Sequence, residues 1–243
     1  MPTPRHLRNA PITEALLDIR VKAAQATNPA NFSLPPSLQD AFPKREELRA
    51  ATIELQFTPK KPPAVEEHGL QGFFFKSEDE RVIAQFRTDG FTLNRLKPYT
   101  SWDDFFSRAK ELWNSYIATA HPEAVTRVAL RYINHIPLPS DGGHLANYMR
   151  VPPQIPEELP QDLGAFFWRI TIHNVEESLS AHITQSLEFS NEVFTLLIDI
   201  DAFRNVDWTP NDPRVYEALN SLRGFKNRIF FGLLTDEAIR RFE

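Results

Sequence analysis

Cysteine is missing from the chain altogether. Its absence removes disulfides, thiolate nucleophiles and cysteine-based zinc sites, and it fits a reducing compartment, so the expected location is cytoplasmic. Long apolar runs are missing too. The longest, Val193 to Ile200, falls far short of the ~18–20 residues needed to span a bilayer, so no membrane partner is expected. The opening stretch, Met1 to Arg8, lacks the apolar core of a secretory signal. Basic charge is scarce: 27 Lys and Arg face 32 Asp and Glu, for a net charge of −5. That balance argues against general nucleic-acid binding, although a local basic patch stays open. Gly142-Gly143 lacks the Lys-Ser/Thr of a phosphate loop, and no Gly-x-Ser-x-Gly elbow exists. The seven His include no helical His-x-x-x-His pair, so no preformed zinc site is expected. With no catalytic motif, no cofactor is expected and enzymatic activity is left undecided.

What is present fits a globular α+β chain. The 243 residues are 42% hydrophobic and 24% charged, enough for one large domain or two small ones sharing a core. Nineteen Phe and four Trp suggest a wide sheet packed against helices.

From Ile12 to Lys22, Ala15, Leu17, Ile19 and Val21 alternate with Glu14, Asp18 and Arg20, the period of a strand with one buried face; Leu16 is the exception. A short helix is expected at Leu34–Phe42, between Pro35-Pro36 and Pro43, then a strand marked by Ile53, Leu55 and Phe57, and a loop at Pro59–Pro63. Leu70–Lys76, Arg81–Arg87 and Phe91–Leu96 read as a meander whose second turn has Asp-Gly chemistry at Asp89-Gly90. A helix at Trp102–Ala118 follows, capped by Ser101, with an apolar stripe through Phe105, Ala109, Leu112, Trp113 and Tyr116. The order then recurs: a strand at Ala124–Ile136, a helical turn at His144–Met149, strands at Ala165–Val175, Leu179–Phe189 and Val193–Asp201, and a helix at Pro213–Leu233. That helix has Asp212 as its cap and a stripe of Val215, Leu219, Leu222, Ile229, Phe230 and Leu233. Gly224 interrupts it, which suggests a bend or close packing.

Both halves, 1–122 and 123–243, thus read as strand, short helix, antiparallel meander and long helix. The expected fold is a tandem duplication of a helix-grip or TBP-like unit, the halves sharing one continuous structure. Three short stretches add a resemblance: Asn9-Ala10-Pro11-Ile12-Thr13-Glu14-Ala15, Arg131-Tyr132-Ile133-Asn134, and the closing helix with Leu222-Arg223 and Lys226-Asn227 before Phe230. In these the chain resembles a sporadically distributed family of uncharacterised prokaryotic proteins of similar length. The resemblance implies no activity and carries no catalytic residues.

Candidate site residues come from strand periodicity. Arg127, Arg131 and His135 share one face of their strand, and Arg169, Thr171 and His173 share a face of the next. If the two strands are neighbours, they form a cationic patch suited to a carboxylate or phosphate; the competing reading is a solvent-facing sheet surface with its charges paired. Asp199, Asp201 and Asp207 could chelate a divalent cation, but they match no loop motif. The functional expectation is a non-enzymatic binding or protein-interaction module. The alternative is a small-ligand receptor or enzyme using a helix–sheet cavity with an Arg/His anion site. The partner is accordingly an unknown protein or a small anionic or apolar ligand.

Overall fold

Among the described residues, nine strands and four α-helices make a mixed α+β fold with one antiparallel sheet. The structure, a computed structural model, describes residues 7–54, 64–139, 144–190 and 192–243. The first half contains β1 (Ile12–Lys22), α1 (Pro36–Gln39), β2 (Lys44–Glu54), β3 (Ala64–Lys76), β4 (Val82–Arg87), β5 (Gly90–Leu96) and α2 (Trp102–Ala120). The second contains β6 (Ala124–Pro137), β7 (Phe166–Asn174), β8 (Leu179–Ser190), β9 (Val193–Trp208), α3 (Arg214–Leu233) and α4 (Asp236–Arg240). The sheet order is β2-β3-β4-β5-β1-β6-β9-β8-β7. Each half's first strand therefore lies beside its last, β1 beside β5 and β6 beside β9, and the halves meet where β1 pairs with β6.

Most boundaries follow the residue patterns, with five differences. β3 begins at Ala64 instead of Leu70, because it stays paired with β2 as far as Glu54. The short helix is only Pro36–Gln39, because Pro43 and the early start of β2 leave it no room. β2 begins at Lys44, within a charged run that carries no apolar alternation. β9 continues to Trp208, beyond the expected Asp201, because it stays paired with β6 as far as Val125. α3 begins at Arg214 with Pro213, not the expected Asp212, at its N-cap; Asp212 lies one residue earlier and accepts the Arg214 amide at 2.9 Å. The expected loop at Pro59–Pro63, the marker residues Leu55 and Phe57 and the Gly142-Gly143 pair lie outside the described residues.

The sheet buries one face. Ala15, Leu17 and Ile19 of β1, Val128 and Leu130 of β6, and Leu196, Ile198 and Ile200 of β9 are all buried, beneath α2 and α3. Register explains this: Leu17 opposes Leu130, which opposes Ala202, so each strand's inward set lines up with its neighbour's. α2 is fixed by its aromatics. Trp113 stacks on Tyr116 with centroids 5.4 Å apart, and the Tyr116 hydroxyl donates to the Arg87 carbonyl at 2.8 Å. Left-handed His121 (φ 46°) ends the helix, its amide donating to Ile117. α3 lies alongside, with Tyr216 edge-on to Phe106 and the Arg223 guanidinium 5.3 Å from the Trp102 ring centroid. Among the described residues, no helix is long and apolar enough to cross a membrane.

The other face is polar and cross-linked. Asp18 accepts from Arg87 at 3.1 Å, from Arg127 at 3.3 Å and from Thr92 at 2.7 Å, tying β1, β4, β5 and β6 together.

Two outcomes follow from this packing. Trp113 is 1% exposed, so Trp113→Ala should cost about 3–5 kcal/mol in denaturant unfolding; a loss under ~1 kcal/mol would contradict its burial in the core. The close packing suggested for Gly224 is not found. α3 runs on through it, and an added Cβ would meet nothing nearer than the Arg228 guanidinium at 3.9 Å. Gly224→Ala should therefore raise stability by up to ~1 kcal/mol by the same measurement, and a loss would reveal hidden crowding.

Candidate functional site

The sequence-predicted residues lie on the polar face and are not drawn together. Arg127 holds Asp201 with two bonds of 3.0 and 2.8 Å. Arg131 grips Asp199 in a bidentate pair at 2.9 and 2.6 Å, and that bond raises the pKa of its guanidinium further. His135 is exposed on the same face. Arg169 and His173 stand on β7, the sheet's edge, where His173 Nδ1 lies 2.8 Å from the Ser180 hydroxyl. The expected adjacency of the two strands does not occur. β9 and β8 separate β6 from β7, three steps or roughly 14 Å at ordinary strand spacing. After β6 the chain crosses to the far edge and meanders β7-β8-β9 back to the side of β6, so β6 and β7, consecutive in sequence, are not neighbours in the sheet. Asp199 and Asp201, considered above as cation ligands, are the partners of Arg131 and Arg127. The described residues contain no acidic or histidine cluster able to hold a metal.

A different set of side chains converges on the opposite, helix-covered face. A cavity of about 360 Å³ opens between the N-terminal segment, the start of α2, β6 and α3. Its walls include Ala10, Pro11 and Ile12; Tyr99, Ser101, Trp102 and Asp103; Tyr132 and Asn134; and Arg223, Lys226, Asn227 and Phe230. The entering chain is held by backbone bonds, with the Asn9 amide donating to Phe242 and the His135 amide to Pro11, at 3.0 and 2.9 Å. Ser101 caps α2 by accepting the Asp104 amide at 3.1 Å, which fixes the helix start at the cavity edge. The floor belongs to β6. Tyr132 and Tyr99 share a hydroxyl–hydroxyl hydrogen bond of 3.0 Å, and the buried Asn134 amide donates to the Ile198 carbonyl at 3.1 Å.

Lys226 is the unusual group. It is only 8% exposed, and its ammonium nitrogen sits 3.8 Å from the Tyr132 ring centroid. Among the described residues, no carboxylate comes within ion-pair distance of it. Burial and the nearby Arg223 charge push its pKa down from 10.5 to about 7. Burial drives the Tyr132 hydroxyl pKa well up and raises that of Tyr99, so both stay protonated.

The sequence contains a signal for this site. Lys226 falls four residues after Leu222 and four before Phe230, squarely on α3's apolar stripe, where a charge is out of pattern. The three stretches that carry the family resemblance, around Ala10–Ile12, Tyr132–Asn134 and Arg223–Phe230, all line this one cavity. Comparison with protein-family models, with curated proteins and with solved structures finds no match to the chain.

Lys226 also sets a pH dependence. Its folded-state pKa of about 7 lies below the ordinary 10.5, so the unfolded chain binds more protons between those values. Stability from this group rises with pH across that window and is lost as pH falls through about 7. Lys226→Met should therefore be more stable than the parent at pH 6, with the advantage shrinking by pH 10, as read by denaturant unfolding at both. Parallel stability curves for the two proteins would mean that Lys226 titrates normally.

Proposed function

We propose that the chain is a binding protein for a small anionic ligand, held in the cavity between α2, β6 and α3. The observation that carries this reading is Lys226, a buried cation without a carboxylate partner among the described residues, facing a cavity it shares with Arg223. An unpaired buried charge is costly, and a carboxylate or phosphate in the cavity would offset that cost. Arg223 supplies a planar, multidentate donor near the mouth, and α2 turns its electropositive end toward the same space. The size suits a small metabolite, near the lower end of the ~300–1,000 Å³ usual for ligand pockets. The contrast with the polar face supports the choice, since Arg127 and Arg131 already hold aspartates there.

A protein-interaction role has one observation in its favour. Phe167, Phe189 and Val193 are exposed at the β7–β9 corner, by 72%, 58% and 41%. The duplication is likewise our reading: β1 beside β5 and β6 beside β9 support two related units, each a strand, a meander and a long helix, joined through β1 and β6. The shared cavity lining supports kinship with the prokaryotic family named above, and the absence of cysteine supports a cytoplasmic home.

Calorimetric titration with inorganic phosphate and with succinate tests the anion site. Binding should be tighter at pH 5.5 than at pH 8, because Lys226 is protonated at the lower value. Lys226→Met should weaken it by about 10–100-fold, the worth of one charged hydrogen bond, and Arg131→Ala should leave it unchanged. No heat at millimolar anion with folded protein, or loss in Arg131→Ala instead, would overturn the proposal.

A further inference from the structure

The same cavity carries a more specific inference, which rests on the anion-binding reading. We propose that Lys226 is an imine-forming amine and that its ligand is a small carbonyl compound bearing a carboxylate, of the 2-oxo acid class.

Three observations point this way. First, the nitrogen lies against an aromatic ring, not a carboxylate, so no ion pair locks its lone pair. Lys22, Lys44 and Lys76 contrast with it, being ion-paired to Glu123, Glu80 and Glu46. Second, burial and the Arg223 charge favour a neutral amine at Lys226. Arg223 on its own helix and Arg8 in the entering chain are cationic, Tyr132 and Tyr99 are neutral, and Asp103 is an exposed carboxylate at the start of α2. An amine held near half-protonation at neutral pH is the form suited to attack a carbonyl. Third, the cavity separates two tasks. Arg223 can hold the ligand's carboxylate, and the Tyr99–Tyr132 pair, in which one hydroxyl donates to the other, leaves one hydroxyl proton for the carbonyl oxygen.

The chemistry balances without a redox partner. The Lys226 lone pair adds to the carbonyl carbon, a C–N bond forms and the carbonyl π electrons move to oxygen. The carbinolamine then expels that oxygen as water, which takes up the two amine hydrogens as the C=N bond forms. Amine and carbonyl give imine and water, and hydrolysis reverses the step.

Reductive trapping tests this. The full chain is incubated with pyruvate or glyoxylate and sodium cyanoborohydride, then read by intact mass and peptide mapping. Acetone serves as a carbonyl without the carboxylate. The expected result is a single reduced adduct on Lys226, formed at pH 7 at least about ten-fold faster than on exposed Lys22, whose amine is almost wholly protonated there. Acetone should label Lys226 at least about ten-fold more slowly than pyruvate, since it lacks the charge that Arg223 holds. Lys226→Arg should abolish the adduct yet keep calorimetric phosphate binding, because the cation survives. Binding of phosphate and pyruvate with no adduct on Lys226 would overturn the imine and leave the anion receptor standing. Neither binding nor adduct would sink both. Labelling spread over exposed lysines, with Lys226 unmodified, would also overturn the imine.

Discussion

The antiparallel pairing of β1 with β6 is the constraint on which the rest depends. It joins two meanders into one sheet, so the apolar sets of both halves fall on a single continuous face. Leu17 opposite Leu130, and Ile19 opposite Val128, leave no register freedom: a one-residue slip would turn every inward side chain outward. A face this wide needs more than one helix to cover it. α2 and α3 share the task and meet through large side chains, Phe106 against Tyr216 and Trp102 beneath Arg223. Because bulky aromatics hold the two helices together, space remains between them over Tyr132 and Asn134, and the cavity is that space.

The two faces of the sheet solve the problem of charge in opposite ways. On the open face, Asp18, Asp199 and Asp201 neutralise Arg87, Arg127 and Arg131, often bidentately. Such pairing stiffens the sheet and leaves little charge to spare for a ligand. On the covered face, Lys226 and Arg223 adjoin a cavity whose one acidic lining residue among the described residues, Asp103, is exposed to water. Charge left unbalanced inside a protein is expensive, so its persistence at an accessible cavity marks a functional hypothesis in a way that a surface ion pair does not.

Strands with clean alternation were legible in the chain. β1 runs Ile12–Lys22 as its pattern requires, and β5, β6 and β8 lie within a residue of expectation. α2 announced itself through Ser101 and its aromatic stripe. β2 was illegible at its start because Lys44–Glu47 carries four charges at the sheet edge, where neither face needs to be apolar. The site was misplaced for a related reason. Periodicity correctly put Arg127 and Arg131 on one face but could not say which strands would flank them. The more telling residue, Lys226, is visible in the sequence as a break in an apolar stripe, but nothing local says that the motifs around Ala10 and Tyr132 meet it in space.

Composition and periodicity by themselves determined that this chain forms an antiparallel sheet with one buried face, two long amphipathic helices and no cysteine chemistry. These are local properties: each depends on which side chains recur at spacing two or near four, and so can be read from neighbours in sequence. Tertiary structure alone decided the strand order, the aspartate partners of the arginines and the meeting of Ala10–Ile12, Tyr132 and Lys226 around one cavity. Ile12 and Tyr132 are 120 positions apart in the chain, and Tyr132 and Lys226 are 94. Only the closure of the sheet through β1 and β6, with two helices laid across it, brings a lone lysine out of water beside a place where a counter-charge could sit.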